Sequence, residues 1–208
     1  MNLEKAIKIA VDAHTGQFDK GNNPYILHPL RVMLSLDKEE EQIVGILHDV
    51  VEDCDDWTYE RLQSEGFSEN ILDALKSVRK TFKEETEFKS ASEENKMNYY
   101  LQFISRAKKN KIGKKVKIAD LKDNLDISRI NDITENDYAR LKRYKKALEF
   151  LEMKYTIKKT AMYGTSYIGQ FDTYEDASAA AQKLVSNSFD EVFVEVVPTD
   201  QNSSNKFS

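Results

Sequence analysis

The chain has 208 residues, 32% of them charged and 40% apolar, enough for one sizeable core and a small additional module. A formal net charge of −5 argues against general binding to nucleic-acid backbones, and neither a membrane-spanning apolar run nor a signal-peptide pattern is present. A cytoplasmic protein without nucleic-acid or membrane partners is expected, and its single cysteine, Cys54, excludes an internal disulfide.

Leu3, Ala6, Ile7, Ile9, Ala10 and Ala13 recur at helical spacing and predict an amphipathic helix over residues 2–14. His14 reads as a helix-end imidazole bonded to loop backbone. Gly16, Gly21, Asn22, Asn23 and Pro24 then mark an irregular loop able to lie over a pocket. Within it, Lys20 is either a solvated lysine or a group in reach of a phosphate. Residues 25–36 predict a second, apolar helix, with Pro29 near its first turn and His28 at its start. A third begins near Lys38 and carries Glu39, Glu40 and Glu41 in its first turn, a solvated face that also suits the helix dipole.

That helix leads into GILHDVVED, residues 45–53. If the stretch is helical, a rotation of about 100° per residue stacks His48 on Glu52 and Asp49 on Asp53, all within an arc of roughly 140°. The flanking Ile43, Val44, Ile46, Leu47, Val50 and Val51 predict burial, and ionisable groups on a buried helix are costly unless they are paired or bind metal. Cys54, directly after, reads as a packing residue.

Residues 55–66 predict a shorter helical segment around Leu62, closed by Gly66, and residues 68–81 a helix with Ser68 as N-cap. Residues 82–95 are polar and poorly periodic, which predicts a flexible loop able to act as a lid. Helix resumes over 97–107, where Tyr99, Tyr100 and Phe103 read as core. Lys108, Lys109, Lys111, Lys114, Lys115 and Lys117 form a basic cluster, suited to an anionic substrate or simply to a solvated helix. Asp120 lies among Val116, Ile118, Ala119 and Leu121, with Asn124 one turn on, a second buried polar face. A long helix over 135–155 closes the helical part. Beyond it, residues 156–198 predict a small βαβ-like α+β appendage, and residues 199–208 a disordered tail.

Three segments carry a more specific signal: AHTGQFDKGNNPYILHPLRV (13–32), GILHDVVED (45–53) and VKIADLKDNLDISRI (116–130). They resemble the hydrolase domain of the RelA/SpoT-type alarmone enzymes, within the HD-domain metal-dependent phosphohydrolases, and are most similar to the small stand-alone hydrolases without a synthetase domain. The resemblance spans about residues 3–152. It implies a mainly α fold, an HD-domain helical bundle, here followed by the appendage. It implies a single metal ion, typically Mn2+ or another divalent transition metal, held by His28, His48, Asp49 and Asp120. Two imidazoles with two carboxylates suit such a borderline ion. Glu52 and Asp53 match the catalytic carboxylate pair that handles the attacking water, and Lys20 and Asn124 match residues near the substrate's phosphates and ribose.

The implied reaction releases pyrophosphate from the 3′ position of (p)ppGpp, leaving GDP or GTP. The alternatives are the same chemistry on another nucleotide, such as the 2′-phosphate of NADPH, or a non-catalytic nucleotide sensor. The chain departs from the family's pattern in the first loop, where an Arg-Lys pair is usual and the arginine stacks on guanine. This chain has Asp19-Lys20, and an acidic side chain cannot supply a cationic plane. The appendage lies outside the familiar domain and is a candidate for homo-oligomerisation or regulation.

Overall fold

The computed structural model describes residues 3–129, 133–161, 164–186 and 193–199, and the chain divides into two compact units, Met1–Leu151 and Glu152–Ser208. It is mainly α-helical with a small α+β part. No described helix is long and apolar enough to cross a membrane.

The first unit is built from α1 (Leu3–Ala13), α2 (Leu27–Leu34), α3 (Glu39–Leu47), α4 (Val50–Asp53), α5 (Tyr59–Ser64), α6 (Glu69–Val78), α7 (Phe82–Ser90), α8 (Glu93–Lys109), α9 (Lys111–Leu125) and α10 (Glu135–Glu152). Its larger core surrounds α3, whose Ile43, Val44, Ile46 and Leu47 are completely buried against α1, α2, α6 and α9. Burying each such side chain contributes about 1.5–3 kcal/mol, which helps offset the cost of desolvating the polar groups at the end of α3. Gly45 permits the close approach of α2, because a Cβ there would stand 2.8 Å from Leu36 Cδ1 and 3.3 Å from Met33 Cα. A smaller core joins Tyr100, Phe103 and Ile104 of α8 to Leu121 of α9 and to Ala147 and Leu151 of α10. Helix α9 serves both cores, with Val116 in the larger and Leu121 in the smaller, and Asp120 lies between them in sequence.

The structure departs from the sequence-based expectations at several places in this unit. The helix through GILHDVVED is interrupted: α3 ends at Leu47, Asp49 has φ −98° and ψ −11°, and α4 starts afresh at Val50. The His48 ring donates to Gly45 O at 2.7 Å and so competes for the carbonyl that a continuing helix would offer to the Asp49 N–H. Residues 82–90, expected as loop, form α7. Thr81 and Glu84 make a reciprocal capping box, and Lys83–Glu87 and Lys89–Glu85 are ion pairs one turn apart. The acidic run is not all solvated, since Glu41 is buried and accepts from Lys115 at 2.7 Å. The lysine cluster is dispersed by the turn at Asn110. Lys108 is buried and donates to Phe150 O, Lys115 pairs with Glu41, and Lys117 reaches Asp120.

The second unit contains β1 (Tyr155–Ala161), β2 (Gly164–Phe171), α11 (Tyr174–Ser186) and β3 (Phe193–Pro198). Both outer strands are antiparallel to β1 in the order β2-β1-β3, so β2 and β3 run parallel to each other, connected through α11, with β1 inserted between them. Ile157 of β1 and Ala177 and Ala181 of α11 are buried. The register of β1 and β2 shifts between Tyr155 and Ile157, where Thr156 Oγ1 donates to Gly169 O at 2.7 Å. The tail expected over 199–208 lies, from residue 200 onward, outside the described residues.

Candidate metal centre

The first turn of α2, the interruption after α3 and the middle of α9 bring His28, His48, Asp49 and Asp120 together. Each imidazole has one nitrogen already engaged. His28 Nδ1 is 2.7 Å from Asp123 Oδ2, and His48 Nδ1 is 2.7 Å from Gly45 O. With those nitrogens as N–H donors, both rings in the neutral state present an Nε2 lone pair to the same place. His28 Nε2 lies 3.5 Å from Asp49 Oδ2 and 3.4 Å from Asp120 Oδ1, and His48 Nε2 lies 3.1 and 3.7 Å from the same two atoms. The donor atoms of His28, His48 and Asp49 fall within 4.8 Å of one another.

Lone pairs and carboxylate oxygens at such distances repel unless positive charge lies between them. Burial disfavours charge on both imidazoles, yet the facing carboxylates outweigh it and push both above the ordinary histidine range. Burial likewise opposes charge on Asp49 and Asp120, and here too the neighbours prevail: His48 pulls the Asp49 carboxyl down, and Lys117 with the two histidines does so for Asp120. His48 Nε2 is sealed from solvent and makes no hydrogen bond. A divalent cation fits this donor set, because it would satisfy that orphaned nitrogen and both carboxylates at once.

Surrounding contacts hold the donors in place. Tyr25 donates its hydroxyl to Asp49 Oδ2 at 2.7 Å, and Lys117 Nζ donates to Asp120 Oδ2 at 2.6 Å. Asn124 Nδ2 donates to Asp120 Oδ1 at 2.5 Å and to Asp120 O at 3.1 Å. Asp123 accepts from Arg31 through Nε at 2.6 Å and Nη2 at 3.1 Å as well as from His28, and these donors keep its carboxyl well below the usual range despite burial. Tyr25, Asp123 and Arg31 were not singled out from sequence. Asp123 stands one turn after Asp120, and Tyr25 one turn before His28, so helical spacing was the available signal.

A cavity of about 390 Å³ opens in front of this cluster. His28, Asp49, Glu52, Asp53, Asp120 and Asn124 line it, as does Lys20, while His48 lies buried behind. Glu52 and Asp53 are reachable from solvent, but the protein around them raises both carboxyls above their usual range, with Asp49 adding to the effect. Lys80, Lys117 and Arg140 supply positive charge to the wall. Asp120 holds the Lys117 ammonium above its ordinary range against the opposing effect of burial. Lys20 pairs with Asp137 of α10 at 2.6 Å, and Asp137 is further held by Thr134 and Arg140.

Asp19 turns inward, its Oδ1 accepting from Gly21 N and Asn23 N at 2.9 Å each. Near the cavity but apart from the cluster, His14 is buried with Nδ1 against Gln17 Oε1 at 2.8 Å, a side-chain partner in place of the expected backbone one. Cys54 Sγ contacts Ala13 O at 3.3 Å, and partial burial pushes its thiol upward, away from nucleophilic behaviour.

No protein-family model matches the chain. A guanosine-3′,5′-bis(diphosphate) 3′-pyrophosphohydrolase of Borreliella burgdorferi is 35% identical over 98 residues, covering 45% of this chain and 14% of the relative. The protein of the same name in Haemophilus influenzae is 32% identical over 122 residues, covering 56% and 17%. A protein of Oryza sativa subsp. japonica whose given name is that of a chloroplastic GTP diphosphokinase, RSH1, is 42% identical over 67 residues, covering 30% and 8%. The chain thus spans less than a fifth of the length of these curated relatives. Over these partial stretches the chain is related in sequence to the RelA/SpoT-type hydrolases.

Proposed function

We propose that the helical unit is an HD-domain, metal-dependent phosphohydrolase that releases pyrophosphate from the 3′ position of ppGpp or pppGpp. The observation that carries this reading is the convergence of two imidazole Nε2 atoms with two carboxylates beside a cation-lined cavity. His28, His48, Asp49 and Asp120 would hold the ion, and their mixed nitrogen and oxygen donors suit Mn2+. A divalent ion there would lower the pKa of a water molecule and offset charge on the phosphate under attack.

The chain's own groups supply the rest. Glu52 and Asp53, with carboxyls raised by their surroundings, are suited to take the proton of the attacking water. The water oxygen bonds to phosphorus, the bond from phosphorus to O3′ breaks, and a proton is returned to that oxygen. Lys80, Lys117 and Arg140 line the cavity and would meet the anionic phosphate oxygens. Both hydrogens of the Asn124 amide are engaged by Asp120, which leaves its oxygen for a ribose hydroxyl. The inward turn of Asp19 favours a second reading, in which the same chemistry acts on a different nucleotide.

A nucleotide panel tests both readings. Mn2+-loaded protein is expected to release pyrophosphate from ppGpp, and Glu52→Gln to retain the metal while turnover falls about 10²–10⁴-fold. Turnover of other nucleotides only, NADPH among them, would move the reaction to that substrate. Binding without any turnover would make the domain a sensor.

A further inference from the structure

We infer that Phe18 is the platform on which the base of a phosphorylated nucleoside stacks, and that this base is held without being read through hydrogen bonds. The inference deepens the proposed function and rests on it for the orientation of the phosphates toward the metal centre.

Phe18 is 62% exposed, lines the cavity in front of the cluster, and belongs to neither hydrophobic core. The tyrosine and phenylalanine rings elsewhere in the cavity wall differ, since Tyr25 is half-buried with its hydroxyl on Asp49, Tyr100 and Phe103 are buried in the smaller core, and Tyr144 packs against it. The loop that carries Phe18 is cross-braced. Phe18 bridges to Pro24, Asp19 N donates to Asn23 O at 2.8 Å, and Tyr25 N donates to Gln17 O at 2.9 Å. Bracing of this kind holds an apolar ring toward solvent at low conformational cost, the arrangement that suits stacking on a flat ligand.

The cavity is polarised. Its wall carries carboxylates and the His28 imidazole, with Lys80, Lys117 and Arg140 able to take phosphates, and Phe18 is the exposed apolar ring of the same wall. A phosphorylated nucleoside has the matching division between anionic and flat aromatic parts. A phenyl ring has no hydrogen-bonding atom, and the neighbouring Asp19 spends Oδ1 on the loop's own N–H groups. Stacking on such a ring tolerates any base and favours purines, whose π face is larger.

Equilibrium binding to the Mn2+-loaded full chain tests this without turnover, using guanosine and adenosine 3′,5′-bisphosphates and the base-free probe ribose 5-phosphate. The two bisphosphates are expected to bind within a few-fold of each other. Phe18→Ala should weaken both roughly 10-fold, Phe18→Trp should restore them, and ribose 5-phosphate should bind all three proteins alike. Unchanged bisphosphate binding in Phe18→Ala, absence of bisphosphate binding by the parent chain, or an equal loss for ribose 5-phosphate would overturn the inference. Pyrophosphate release, measured separately, distinguishes the two failures. Turnover with an unaltered KM in Phe18→Ala sinks the platform alone, whereas base-dependent binding without turnover sinks the hydrolysis alone.

Discussion

Asp123 accepts from His28 and Arg31 together, so one carboxylate determines where His28 aims its Nε2. Removing such an orienting partner commonly costs about 10–100-fold in metal affinity, and Asp123→Ala is expected to fall in that range in a competition titration against a chelator. An unchanged affinity would mean that packing alone holds the ring. In the sequence, His48, Asp49 and Asp120 are conspicuous as ionisable residues among apolar neighbours, whereas His28, and the four together as a ligand set, come from the family resemblance. Sequence left Asp123 unremarked, since a charged residue near a helix end reads as solvated until its partner 95 residues away is seen. Lys117 was hidden for a different reason. It sat among five other lysines, and only the bond to Asp120 separates it from them.

Among the elements, the interruption after α3 and the formation of α7 are both decided by side chains bonding to nearby backbone. The His48 ring takes Gly45 O where a helix would otherwise continue, and Thr81 with Glu84 starts a helix in a stretch with little apolar periodicity. Helix α7 has no fully buried residue, with Phe88 partly packed against the smaller core, so its cap contributes to what stabilises it. Thr81→Ala is expected to cost about 0.5–2 kcal/mol locally, seen as faster hydrogen exchange over 82–90 with little change elsewhere. Exchange unchanged in that segment would assign its order to tertiary contacts such as the Glu84–Arg106 ion pair at 2.6 Å. The approach of α6 to α9 is tighter. A Cβ on Gly113 would lie 2.0 Å from Ser77 Oγ, so Gly113→Ala is expected to destabilise the helix carrying Asp120 by about 1–3 kcal/mol, read from denaturant unfolding.

For the whole molecule, the two units differ in composition and in the order of their elements. The donors of the candidate metal centre all lie in the first. Both hydrophobic cores of the helical unit are closed by residues up to Leu151. A chain ending at Lys154 is therefore expected to fold, and to bind Mn2+ as the full chain does. Loss of the cooperative unfolding transition in that truncation would place the boundary elsewhere. The sequence by itself determined the helical character of the first unit, the mixed character of the second, and the chemistry-bearing residue types. Those signals are local, carried by apolar periodicity and by polar residues within apolar helices. Only the tertiary structure decided which groups face one another: that both Nε2 atoms meet the same carboxylates, that the lysine cluster is divided among separate partners, and that Asp19 turns into its own loop beside an exposed Phe18. Such pairings depend on helices distant in sequence crossing at a fixed angle, and periodicity along one helix contains no record of the helix it will cross.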